Sequence, residues 1–102
     1  MIIVTLTQKD LDERPIGSSI LKQNPFIHAS TIDLFHLVIP KLKDRNDLVL
    51  VYIDESKLSS IVKYEDKNNN QLFFPHIYGP IDENAIISIH PLIIQEGIWM
   101  NP

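Results

Sequence analysis

The sequence predicts an α+β fold, on three observations. Apolar, β-branched runs outnumber helical patterns, and their order along the chain does not alternate strand with helix. One run, Leu48-Val49-Leu50-Val51-Tyr52-Ile53, is apolar on both faces, as a central strand covered from both sides must be. A chain of 102 residues holds one core, so a single domain spanning 1–102 is expected, with few and short helices.

Composition narrows the function classes. Hydrophobic residues make up 44% and charged residues 22%, a soluble globular balance rather than a disordered one. The net charge of −4 argues against duplex nucleic acid as a partner. The absence of cysteine removes disulfide and thiolate chemistry. No apolar run reaches the roughly 20 residues that span a bilayer, and the N-terminus reads as a first strand rather than a signal peptide, so a cytoplasmic location away from membranes is expected.

In chain order, Met1 to Leu6 reads as a buried strand. Thr7 caps a short helix from Gln8 to Glu13, which Arg14-Pro15 stops. Gly17-Ser18-Ser19 is a turn, and Ile20 to Asn24 an irregular connection to the extended segment Phe26-Ile27-His28-Ala29-Ser30. Ser30 or Thr31 caps a helix through Lys43 that Pro40 kinks or shortens. Lys41, Lys43 and Arg45 read as its solvated C-terminal end, and His36 as an exposed helix histidine. After the strand from Leu48 to Ile53, a helical turn is expected at Lys57 to Ser60. The strand Ile61 to Glu65 then joins Phe74 to Tyr78 through a polar hairpin loop, Asp66 to Gln71. Pro75 suits a sheet edge, and Gly79-Pro80 ends the strand. The last long strand, Ala85 to His90, ends or bulges at Pro91, and Trp99 in the tail covers one end of the core.

Two stretches carry the chemistry. Strand alternation puts Phe26, His28 and Ser30 on one face, and Phe74, His76 and Tyr78 on another. Each is an aromatic, a histidine and a hydroxyl at alternate positions, the pattern of two walls of one cleft. The competing readings are bland. Ser30 before a helix is a cap more often than a nucleophile, and Lys63 with Glu65 is more often a surface pair. His28, His76 and Glu65 are competent zinc ligands but lack ligand spacing, so no metal site is assigned. No glycine-rich phosphate loop and no nucleophile elbow is present.

Phe26-Ile27-His28-Ala29-Ser30-Thr31, Leu48 to Asp54, Lys63-Tyr64-Glu65, Phe74-Pro75-His76-Ile77-Tyr78-Gly79-Pro80-Ile81 and Pro91-Leu92, with Gly17-Ser18 upstream, resemble the domain-of-unknown-function family 952. This is a bacterial family of small single-domain proteins, and the resemblance runs along nearly the whole chain. It implies an ADP-ribosyltransferase-like fold, a curved, split, mixed or antiparallel sheet with an NAD cleft between its halves. In that superfamily the first strand supplies a histidine or arginine to a ribose. Here Val4 stands where the family often has a polar residue, and Asn24-Pro25 where it has an acidic-Gly pair. A missing ribose contact at Val4 costs about 1–3 kcal/mol. No glutamate accompanies the Tyr78-Gly79-Pro80 motif, and transferase activity is expected to be poor.

The reading that results is a histidine-lined cleft for a small ligand, nucleotide or NAD-like, with a non-catalytic small-metabolite binding or regulatory module as the alternative. His28, His76 and Glu65 are the candidate catalytic residues. The histidines bind phosphate or ribose hydroxyls, or move a proton near neutral pH, while Glu65 orders a histidine or a hydroxyl. Ser30, Tyr78, Gly79 and Lys63 are the candidate ligand-binding residues.

Overall fold

The structure, a computed structural model, describes residues 1–102. Its elements are β1 (Ile2–Thr7), α1 (Gln8–Asp12), α2 (Ser18–Gln23), β2 (Ile27–His28), β3 (Ser30–Thr31), α3 (Ile39–Leu42), β4 (Leu48–Ile53), β5 (Ile61–Glu65), β6 (Phe74–Tyr78), β7 (Ile86–Pro91), β8 (Ile94–Gln95) and β9 (Ile98–Trp99). One sheet runs β3-β1-β4-β7, a second runs β2-β6-β5, and β8 and β9 form a separate hairpin. Every pairing is antiparallel. This is the α+β architecture that the strand-rich, non-alternating pattern predicts, with few and short helices.

The strand that is apolar on both faces lies in the interior of its sheet, between β1 and β7. Val51 and Ile53 enter a core shared with Ile2, Val4, Leu6, Ile27 and Ile77, which the two sheets enclose. Leu50 points the other way, into a second cluster with Ile3, Phe35 and Ile39. All three of these β4 side chains are 0% exposed. Full burial of an aliphatic side chain is worth about 1.5–3 kcal/mol, so a strand covered on both faces is held from both. Trp99 caps the second cluster as expected, its ring edge-on to Phe35 at 4.7 Å between centroids.

The segment Phe26 to Ser30 is extended, as its pattern predicts, but its halves belong to different sheets. β2 pairs with β6, and β3 with β1. Between them Ala29 donates its N–H to the Pro75 carbonyl at 3.0 Å. This short run is therefore the seam between the sheets. Pro75 does not lie on an edge strand, because β6 is flanked on both sides. In an antiparallel ladder a residue's N and O face the same neighbour, so its missing donor faces Ala29, where the chain is leaving for the other sheet. Proline is tolerated there because the ladder ends at that position.

Four local expectations are corrected. Ser18 to Gln23 is a helix rather than a turn and irregular connection. It is entered from Gly17 at φ 89°, and Ile20 and Leu21 pack on the core, which outweighs its weak local signal. The helix expected up to Lys43 is a 3-10 turn at Phe35–Leu37 followed by α3, with Pro40 in the first turn of α3. Proline starts a helix better than it continues one. Ser30 and Thr31 consequently cap nothing and lie in a strand. The turn expected at Lys57 to Ser60 comes earlier, at Glu55–Lys57, because the Asp54 carboxylate accepts from the Ser56 N–H at 3.1 Å. The last strand ends at Pro91, as expected, and its pairing with β4 shifts register between Tyr52 and Ile53. No helix is long and apolar enough to cross a membrane.

Candidate functional site

The second sheet displays its polar residues through register. His28 pairs directly with His76, and Lys63 pairs with His76 from the other side. Directly opposed residues share a face, so β2, β6 and β5 carry His28, His76 and Lys63 in one row. Glu65 lies opposite Phe74, two residues from His76, within reach of the imidazole. Ile27, pairing with Ile77, faces the core instead. Alternation thus sends the aliphatic residues inward and the imidazoles to the opposite face.

Glu65 is the hub. Its Oε1 accepts from Nδ1–H of His76 at 2.9 Å and from the Tyr78 hydroxyl at 2.5 Å, while Lys67 Nζ stands 3.5 Å from Oε2. The Tyr78 and His76 hydrogen bonds hold the Glu65 carboxyl down at about 2, so it is ionised at neutral pH. The same bond pushes the Tyr78 phenol above its ordinary value. An ionised Glu65 accepts from Nδ1–H of His76, leaving Nε2 without a hydrogen-bond partner in the chain. His76 is 3% exposed and its ring stacks on Phe26, with centroids 4.0 Å apart and planes inclined by 17°. Such packing and bonding fix the ring's orientation.

His28 meets the His76 ring edge-on at 5.3 Å and the Phe26 ring at 4.8 Å. Partial burial pushes its pKa below the ordinary imidazole value, and the neighbouring His76 and Lys41 push the same way. Both histidines line a cavity of about 380 Å³, within the range of small-molecule sites. Its apolar wall includes Phe35, Leu72 and Phe74; its polar groups include Thr5, Ser30, Lys41, Glu65, Lys67 and Asn68.

The structure therefore brings His28, His76, Glu65 and Ser30 to one cavity and leaves three other candidates off its lining. Tyr78 stands behind Glu65 as a hydrogen-bond donor, and Lys63 lies over the Tyr78 ring, 4.8 Å from its centroid. Gly79 serves packing, since a Cβ there would meet Ser60 Oγ at 2.4 Å. Ser30 is buried and donates its hydroxyl to the Thr31 carbonyl at 2.7 Å, which removes it as a nucleophile activated by histidine. No three His, Asp or Glu side chains cluster as metal ligands.

Val4 is corrected too. It is buried in the core between the sheets, so no polar residue at that position would reach the cavity. Ile3 and Thr5 are the β1 residues that line it. Lys41 and Lys67 were missed because they sit in stretches that read as a solvated helix end and a polar loop. The detectable signal was Lys67 two residues past Glu65, continuing the alternation that puts Lys63 and Glu65 on one face. Lys41 had no such signal.

Residues 5–89 match the family model described as "Protein of unknown function (DUF952)". In three dimensions the chain is similar to protein CC0527 from Caulobacter crescentus, solved by X-ray crystallography. The TM-score is 0.77 at 21% identity, over 97% of this chain and 92% of that one. A double mutant of the same protein gives a TM-score of 0.76 at 20% identity, over the same 97% and 92%. Likeness at such identity speaks for the fold alone. No curated protein matches the sequence. With the family model covering most of its length, this chain belongs to the DUF952 family.

Proposed function

We infer that the cavity lined by His28 and His76 binds a small anionic metabolite of the nucleotide or NAD-like class. The observation that carries this reading is the make-up of the wall. His28, His76, Lys41 and Lys67 converge beside an aromatic and aliphatic surface, and the one carboxylate among the lining residues is already bonded by His76, Tyr78 and Lys67. Cations and imidazoles suit phosphate oxygens, and Phe74 with Phe35 suits a planar base. The resemblance to ADP-ribosyltransferases supports the same ligand class.

ADP-ribosyl transfer itself is disfavoured, now for a different reason than Val4. Stabilising positive charge on a ribose needs a carboxylate aimed at the sugar, and the Glu65 oxygens are turned to Tyr78, His76 and Lys67 instead. Isothermal titration with NAD, ADP-ribose and a panel of nucleotides tests the binding reading, with a nicotinamide-release assay beside it. Binding weakened by His28→Ala, without nicotinamide release, is expected. Absence of binding by every member of the panel overturns the reading.

A further inference from the structure

The cavity offers acid–base groups and cations but no nucleophile of its own. Ser30 is committed to the Thr31 carbonyl, Thr5 makes no hydrogen bond to either imidazole, and the chain has no cysteine. A reaction run by this set must take its nucleophile from the substrate or from water. A ribose 2′-hydroxyl beside a 3′-phosphodiester is such a nucleophile, and being intramolecular it avoids most of the entropy cost of bringing reactants together.

Resting on the nucleotide reading above, we propose that this cavity cleaves ribonucleotide 3′,5′-phosphodiesters to 2′,3′-cyclic phosphates, with His28 as general base and His76 as general acid. His28 takes the 2′-hydroxyl proton as the 2′-oxygen–phosphorus bond forms. The bond from phosphorus to the 5′-oxygen breaks, and His76 delivers a proton from Nε2 to that oxygen. The products are a 2′,3′-cyclic phosphate and a 5′-hydroxyl. Nothing else is consumed, and exchange with solvent returns both rings to their starting states.

Geometry assigns the roles. The two ring centroids lie 5.3 Å apart, close enough for both rings to reach one phosphate group through hydrogen bonds of about 3 Å. His28 is the more accessible ring, and partial burial, with His76 and Lys41 beside it, favours its neutral, proton-accepting form. His76 has the ionised Glu65 2.9 Å from Nδ1, which holds the ring in place and leaves Nε2 as its free nitrogen. Glu65 and Tyr78 are positioning residues for that ring. Lys41 and Lys67 also line the cavity, where ammonium groups attract a phosphate and offset the charge that grows on its oxygens in the transition state.

The experiment incubates the full chain with uridylyl-(3′→5′)-adenosine and with its 2′-deoxy analogue, following products by phosphorus NMR. A 2′,3′-cyclic phosphate from the first and no product from the second is expected. His28→Ala and His76→Gln, purified identically, are expected to be slower by about 10²–10⁴-fold. His28 is exposed, so its variant tests the proposal even if the His76 variant fails to fold. Equal rates in His28→Ala and wild type overturn the proposal, because the activity then belongs to a contaminant. No cleavage by wild type overturns it as well. In that case nucleotide binding by titration leaves the binding reading standing, and absence of binding removes both.

Discussion

His28 and His76 occupy one register position of the β2–β6 ladder, and their rings stand edge to face 5.3 Å apart. A one-residue slip would send one imidazole into the core and expose Ile27 or Ile77. The apolar partner pair Ile27–Ile77 therefore holds the histidines opposite one another, so that core packing on one face of the sheet sets the geometry of the site on the other.

The two histidines are expected to differ in their structural cost. His76 is 3% exposed, stacks on Phe26 and bonds Glu65, so His76→Ala removes packing and a buried hydrogen bond. A loss of about 1–3 kcal/mol is expected, read from urea unfolding midpoints. His28→Ala is expected to stay within about 0.5 kcal/mol of wild type, as for other exposed positions. A reversed order would show that the Phe26–His76 stack does not hold the site.

Acid lowers stability through Glu65, and the sign follows from its depressed pKa. Its carboxyl stands at about 2 in the folded chain against an ordinary value of 4.5. The stabilisation is present in full above about 4.5 and is lost as pH falls towards about 2. Glu13, Asp47, Asp54 and Asp82 are also held low by their partners, so the measurement is a difference. Urea midpoints from pH 6 down to 2.5 are expected to fall less steeply for Glu65→Gln than for wild type. Parallel curves would mean that Glu65 gains nothing from Tyr78 and His76.

Gly17 is expected to resist substitution on two independent grounds. Its φ is 89°, and an added Cβ would lie 2.4 Å from Ile27 Cδ1. Gly17→Ala is expected to cost about 1–3 kcal/mol, from left-handed strain and overpacking together. Because Ile27 is the neighbour of His28, the variant is also expected to shift His28 ring resonances. An unchanged melting temperature would refute the close approach of the α2 start to β2.

Trp99 is the one tryptophan of the chain and packs against Phe35, its Nε1 buried without a partner. Its emission is expected to be blue-shifted in the native state and to move red on unfolding, at the same urea midpoint as far-ultraviolet circular dichroism. An earlier fluorescence transition would show that the β8–β9 hairpin detaches before the sheets unfold.

Much of this architecture is legible in local sequence. Leu48 to Ile53 is apolar at every position, and only an interior strand with two covered faces accommodates that. Alternation places Phe74, His76 and Tyr78 together, and likewise Lys63 and Glu65, because strand side chains have a period of two whatever surrounds them. What alternation cannot state is the pairing partner. That His28 lies opposite His76, that Glu65 reaches both His76 and Tyr78, and that Phe26 stacks on His76 are facts of register and sheet order. These contacts join residues far apart in sequence. The same limit explains the misreadings. Ser18 to Gln23 is helical because the core receives Ile20 and Leu21, and Lys41 and Lys67 reach the cavity because α3 and the β5–β6 loop fold over it. Val4 and Thr5 differ only in which face of β1 they take. Local periodicity assigned residues to faces; the packing of two sheets around one seam decided which face became core and which became cavity, because burial is a property of neighbours that only the folded chain supplies.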